Sequence, residues 1–196
     1  MKHFIFDLGG VVSKQIDKNL IKDDITAPKE QYEDLYMEKY REMEKGLYTY
    51  EEFIKEVNEY LKYPNLEPEE YKKSYILNGI KFGGVYKDTI DVIYKLKEKG
   101  YKVYLLSNCI HLNYEELCNN LDISTFDKLF LSYEMQLLKP DNRIYLEVIK
   151  NINDNTENIY FFDDKEKNVN AAKECGMNAY QCTGENIKEV ISKIVK

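Results

Sequence analysis

The chain has 196 residues, 43% hydrophobic and 32% charged, with a formal net charge of −7. That length and apolar content suffice for one domain, or a core domain with a smaller insert. The diffuse acidic charge argues against nucleic acid and anionic membranes as partners, and no apolar run approaches the roughly 20 residues of a membrane helix.

The first apolar run, Phe4-Ile5-Phe6, is interrupted at once by Asp7, unlike a signal peptide. A cytoplasmic protein is therefore expected. The four cysteines (Cys109, Cys118, Cys175, Cys182) form no CxxC pair, so reduced and mostly buried thiols are expected rather than a zinc or redox site. Two histidines, His3 and His111, do not make a histidine metal cluster. The 18 tyrosines read as core and amphipathic filler rather than a stacking surface.

In chain order, His3–Asp7 reads as a buried strand that ends in a carboxylate followed by Gly9-Gly10. The next segment, from about Ser13 to Gly84, carries no strand signal. Thr26 and Pro28 start a helix with Tyr32, Leu35, Tyr36, Tyr40 and Met43 on one face. Thr49 and Glu52 have capping-box spacing for a second, with Phe53, Ile54, Val57 and Leu61 on one face. Pro68 opens a third, running to about Asn78. Gly83-Gly84 reads as the return hinge.

From there strands and helices alternate. Tyr86–Lys99 is helical and stops at Gly100. The strand Lys102–Ser107 follows, and Asn113 with Glu116 has capping-box spacing for the next helix. The strand Lys128–Ser132 precedes a helix over Asp141–Ile149. The strand Asn158–Asp163 precedes a helix over Lys165–Cys175, which stops at Gly176. The strand Asn178–Cys182 and a helix over Asn186–Val195 close the chain. This alternation predicts an α/β fold, with a parallel sheet covered on both faces. The helical segment 13–84 would form a cap on a core made of 1–12 and 85–196.

Chemistry-bearing residues recur at the carboxyl ends of the predicted strands, where open α/β sheets bind ligands. They are Asp7, Ser107-Asn108, Lys139-Pro140-Asp141 and Asp163-Asp164. Singly, the middle two read as a strand-to-turn pair and a turn with a helix cap, and Asp163-Asp164 could cap the helix that follows. Asp7 is harder to set aside, because an acid after Phe-Ile-Phe is costly unless used. Together they suit phosphoryl transfer. Asp7 can attack phosphorus and ligate magnesium, while Ser107 and the Asn108 backbone can bind phosphate oxygens. Lys139 can neutralise charge, and Asp164, with Asp163 beside it, can supply a hard oxygen ligand.

These four motifs in this order resemble the haloacid dehalogenase (HAD) superfamily of phosphohydrolases. The chain is most similar to subfamily IA, with its glucose-1-phosphatase-like proteins and the phosphatase domain of soluble epoxide hydrolase. The resemblance spans essentially the whole length. It implies a Rossmann-like three-layer core with a helical cap inserted after the first strand. It also implies hydrolysis of small phosphorylated metabolites, with sugar phosphates, sugar 1-phosphates among them, as the favoured class, through an aspartyl-phosphate on Asp7. Ser107 and Lys139 take the second and third motif positions, and Asp163 and Asp164 the fourth. By the same resemblance Mg²⁺ is held by Asp7, the Gly9 backbone carbonyl and Asp164, and Asn168 matches a supporting position.

Gly9 departs from the pattern, because most family phosphatases carry a second aspartate there as general acid and base. Such help is worth roughly 10²–10⁴-fold, and it matters least for good leaving groups. His111, with a suitable ordinary pKa, could supply the proton, although a surface or helix-start histidine is the plainer reading. Lys14 and Arg41 could reach substrate, although solvated charges are the plainer reading. Two rivals follow from the same residues. One is a phospho-ligand-binding or regulatory protein with little turnover. The other is a metal-independent 2-haloacid dehalogenase, which usually carries an aromatic residue where Gly9 sits.

Overall fold

The computed structural model describes residues 1–14, 29–60, 67–77 and 83–195. Five parallel strands form one sheet in the order β3-β2-β1-β4-β5. They are β1 (His3–Phe6), β2 (Lys102–Ser107), β3 (Lys128–Leu131), β4 (Ile159–Asp163) and β5 (Asn178–Gln181). The expected α/β core is thus present, with strand ends within a residue of those read from sequence.

Strands buried on both faces read as continuous apolar runs rather than alternating ones, and β1 shows why. Phe4 and Phe6 pack on one side of the sheet with Val103, Leu105 and Phe162. Helices α4 (Lys87–Glu98) and α9 (Ile187–Ser192) cover that side through Val92, Ile93, Leu96, Ile187 and Ile191. Ile5 points the other way, toward Leu106, Phe161, Ile144, Tyr145 and Val148. Helices α7 (Asn142–Ile152) and α8 (Glu166–Glu174) close that side. Phe162 stacks on Phe6 at 5.2 Å and on Tyr180 at 5.7 Å between ring centroids, which ties β1, β4 and β5 together.

Between β1 and β2 lie α1 (Lys29–Glu44), α2 (Tyr50–Tyr60) and α3 (Pro68–Leu77). The Thr49–Glu52 capping box is formed: the Thr49 N–H donates to Glu52 Oε2 at 2.8 Å, and the Glu52 N–H donates to Thr49 Oγ1 at 3.2 Å. Tyr40, Met43, Phe53 and Ile54 are buried as their spacing predicts. Thr26, Pro28, Leu61 and Asn78, and the side chains of Tyr32, Leu35, Tyr36 and Val57, lie outside the described residues.

The second predicted capping box is corrected. Helix α5 (His111–Asn120) starts two residues earlier than Asn113, whose Oδ1 reaches back to accept the Ile110 N–H at 2.9 Å. Asn113 therefore makes only the returning bond of such a box, because Ile110 in the cap position has no side-chain acceptor. A short helix, α6 (Ser132–Met135), directly follows β3 and was not legible in the sequence. The four cysteines are free; Cys109 and Cys182 are buried, Cys175 is half-buried and Cys118 is exposed, so the mostly buried reading holds for two of them.

Phe162→Ala should cost about 3–5 kcal/mol in urea unfolding, because the ring is fully buried between Phe6 and Tyr180.

Candidate functional site

Register places the acids. Phe6 pairs with Phe162 across β1 and β4, so the next residue of each strand, Asp7 and Asp163, lies side by side at the carboxyl edge. The Asp7 N–H extends that pairing to the Phe162 carbonyl at 2.9 Å. The chain then turns tightly, with the Val12 and Ser13 N–H groups both donating to the Leu8 carbonyl. Gly10 sits at φ +85°, and a β-carbon there would come 2.9 Å from the Asp164 carboxyl. Glycine at that position therefore leaves room for Asp164 as well as supplying the turn.

Lys139 lies between the two strand-end acids. Its ammonium donates to Asp163 Oδ2 at 2.7 Å and to the Leu106 carbonyl at 3.0 Å, and pairs with Asp7 Oδ1 at 2.8 Å. All three of its protons are thus used, and its side chain is 1% exposed. The Asn108 side chain holds the Lys139 backbone from both sides. Its Nδ2 donates to the Lys139 carbonyl at 2.9 Å, and its Oδ1 accepts the Lys139 N–H at 2.8 Å. Sequence reasoning assigned Asn108 a backbone role only, and the side chain's positioning of Lys139 was missed.

Asp163 is saturated. Beside Lys139 it accepts from the Lys165 N–H at 2.9 Å and from Asn168 Nδ2 at 2.9 and 3.0 Å. Burial pushes its carboxyl up, but the charge and hydrogen bonds of Lys139 and the bonds from Lys165 and Asn168 outweigh that, so it stays below its ordinary range. Asp7 behaves oppositely. Burial pushes it from its ordinary 3.8 to about 7, against the opposing charge of Lys139 and with the added repulsion of Asp163. A proton entering this pair therefore settles on Asp7. Lys139 is held above its ordinary range because its two carboxylate partners outweigh its burial.

The carboxylate oxygens of Asp7, Asp163 and Asp164 lie within 4.8 Å of one another. With Asp163 committed to Lys139 and Asn168, Asp7 and Asp164 form the hard-oxygen pair that fits a divalent cation.

A cavity of about 900 Å³ opens over this edge. Asp7, Gly9, Ser107, Asn108, Lys139, Pro140, Asp141 and Asn168 line it, whereas Asp163 and Asp164 are not among the lining residues. Helix α1 contributes Met37, Arg41, Glu44 and Lys45. Arg41 is the one of the three extra sequence candidates that reaches the cavity. His111 does not, and its candidacy as proton donor is corrected. It is exposed on α5, pairs with Glu115 at 3.4 Å and packs its ring edge-on against Tyr133. Lys14 is also exposed outside the cavity wall. Ser132 was missed. Its buried hydroxyl donates to the Glu44 carbonyl at 2.7 Å and accepts the Cys109 N–H at 2.9 Å, so it joins the end of α1 to the loop after β2. A serine just past a predicted strand carried no distinguishing signal.

A profile of haloacid dehalogenase-like hydrolases matches residues 1–176. The chain belongs to that family. Its fold superposes on a HAD family enzyme from Bacteroides thetaiotaomicron with a TM-score of 0.80, at 27% identity, covering 97% of this chain and 98% of the other. A structure of an enzyme of the same description and organism in complex with magnesium and inorganic phosphate superposes with a TM-score of 0.73, covering 94% and 95%. Among curated relatives, D-ribitol-5-phosphate phosphatase of B. thetaiotaomicron is 29% identical over 92% of this chain and 91% of its own length. The (S)-2-haloacid dehalogenase of Pseudomonas fluorescens is 33% identical over 46% of this chain, a match that spans 40% of the dehalogenase.

Without divalent ions, a protonated Asp7 favours the folded state. That contribution is full below about 3.8 and is lost as pH rises through about 7. Asp7→Asn removes this titration. In EDTA, the Tm difference between Asp7→Asn and wild type should grow in the variant's favour from about pH 5 to about pH 8.

Proposed function

We propose that this chain is a magnesium-dependent phosphatase of small phosphorylated metabolites, with sugar phosphates as the favoured class. The observation that carries this reading is the approach of Asp7 to Lys139 in the lining of one cavity, with Asp163 and Asp164 close beside them. The full-length similarity to a ribitol-phosphate phosphatase supports it, as does the likeness to an enzyme crystallised with magnesium and phosphate. Helices between 13 and 84 would act as the cap over the core of 1–12 and 85–196.

In this mechanism an Asp7 carboxylate oxygen attacks phosphorus, and the bond from phosphorus to the leaving oxygen breaks with its electron pair passing to that oxygen. The leaving oxygen takes a proton from solvent. Water then attacks the aspartyl-phosphate, the bond between Asp7 and phosphorus breaks, and phosphate leaves with Asp7 restored. Lys139 keeps Asp7 oriented and offsets negative charge, while Ser107 and the Asn108 backbone bind phosphate oxygens. Asp163 and Asn168 fix Lys139 and the start of α8. Asp7, Asp164 and the Gly9 carbonyl would hold Mg²⁺, which when bound offsets the charge of phosphate beside carboxylates. Because Asp7 must be ionised, a bound cation would also favour its reactive form.

Gly9 lines the cavity and brings no acid. That observation favours a second reading, a phospho-ligand-binding protein with slow turnover. A third, dehalogenation, draws on the partial match to the Pseudomonas enzyme.

Asp7→Asn should abolish phosphate release from a broad panel of phosphomonoesters with Mg²⁺, while circular dichroism stays native. Substantial Mg²⁺-dependent activity in that variant would sink the assignment, and haloacid turnover that survives excess EDTA would restore the dehalogenase. Tight binding of phosphate esters without release across the panel would favour the binding protein. A β-carbon at Gly9 meets no atom within 4 Å, so Gly9→Asp is sterically open. It should accelerate alkyl phosphates selectively, by up to roughly 10²-fold, and leave aryl phosphates nearly unchanged in steady-state assays.

A further inference from the structure

Among the side chains that line the cavity, cations outnumber acids. Its walls carry the cations Arg41, Lys45, Lys139, Lys165 and Lys167 against the acids Asp7, Glu44 and Asp141, in a protein whose net charge is −7. Several of these charges are already committed. Lys139 is held by Asp7 and Asp163, Lys45 pairs with Glu42 at 2.6 Å, and Asp141 is tied to Arg143. Among the described residues, Arg41, Lys165 and Lys167 have no carboxylate within ion-pair distance.

These three cations divide by position. Lys165 follows directly on Asp164, and its N–H donates to Asp163 Oδ1 at 2.9 Å, which ties it to the strand-end acids. Arg41 and Lys167 come from different elements, α1 and α8, and both line the cavity. An uncommitted arginine fork suits a planar or tetrahedral oxyanion, because its N–H groups match two oxygens at once. Cations gathered in a concave site and left without counter-charges indicate an anionic ligand. One phosphoryl group, already met by Lys139, Lys165 and a divalent cation, does not call for two more.

We propose that Arg41 and Lys167 bind a second anionic group of the substrate, a carboxylate or a second phosphate, within the cavity that Asp7 lines. This rests on the reading of the cavity as a phosphomonoester site. The substrate class it names is a short sugar or polyol phosphate that carries a further anion, in preference to a neutral one.

The test compares three five-carbon substrates that differ at the far end: ribitol 5-phosphate, ribonate 5-phosphate and ribitol 1,5-bisphosphate, with phenyl phosphate alongside. Wild type should favour the carboxylate or the bisphosphate over ribitol 5-phosphate by about tenfold in kcat/KM, chiefly through KM. Which of the two it favours identifies the second anion. Arg41→Ala and Lys167→Ala should each shrink that preference toward unity, and Arg41→Lys should keep part of it. Lys150→Ala, an exposed charge change outside the cavity wall, should keep it in full. Equal kcat/KM for the three substrates in wild type would overturn the proposal. So would an Arg41→Ala loss shared equally by all three, which marks general steering of phosphate. Phosphate release from none of them, phenyl phosphate included, would overturn the phosphatase reading itself and this proposal with it.

Discussion

One buried ammonium holds the candidate site together. Lys139 has three protons and three acceptors, two of them carboxylates delivered by neighbouring parallel strands. A buried lysine without partners would lose its proton, and two buried carboxylates without a cation would not both ionise. Held together they are stable as a set, with one negative charge in excess. That excess falls on Asp7, the acid nearer the cavity, and not on Asp163, which is saturated by Lys139, Lys165 and Asn168. The edge of the sheet is thereby poised to gain from a bound cation. Replacing any member disturbs the other two, so their effects should not add.

The rest of the fold keeps this set in place. Parallel register sets Asp7 beside Asp163, and the Asn108 amide holds the Lys139 peptide by both its N–H and its carbonyl. The cavity then depends on where α1 ends. Ser132 joins the Glu44 carbonyl to the loop after β2, and Gly46, at φ +69°, lies so close to the Tyr133 carbonyl that a side chain there would collide with it. These contacts bring Arg41 and Glu44 to a cavity whose floor is built from residues far away in sequence.

The adjacent glycines have separate tasks. Gly10 adopts a left-handed conformation and makes space for the Asp164 carboxyl, so its identity follows from geometry. Gly9 is under no such constraint, since open space surrounds the direction a side chain would take. The absence of an acid at that point is therefore a matter of chemistry and not of packing.

Much of this was legible in the chain itself. The apolar runs ending in Asp7, Ser107 and Asp163, with helices between them, determine a parallel sheet, because strands buried on both faces cannot alternate polar and apolar residues. The acids behind those runs gather at the edge because strand ends place their next residue in the crevice, whereas Lys139 reaches them from beyond α6, eight residues past the end of β3. Only the tertiary structure decided what depends on contacts between distant segments. It took Ser132 and the Asn108 side chain out of the background, moved the capping role of Asn113 to the third position of its helix, and left His111 outside the cavity. It also brought Arg41 and Lys167 into the lining of one cavity. A local pattern carries no information on such pairings: the direction of a side chain from a helix is set by what the helix packs against, and that partner lies elsewhere in the sequence.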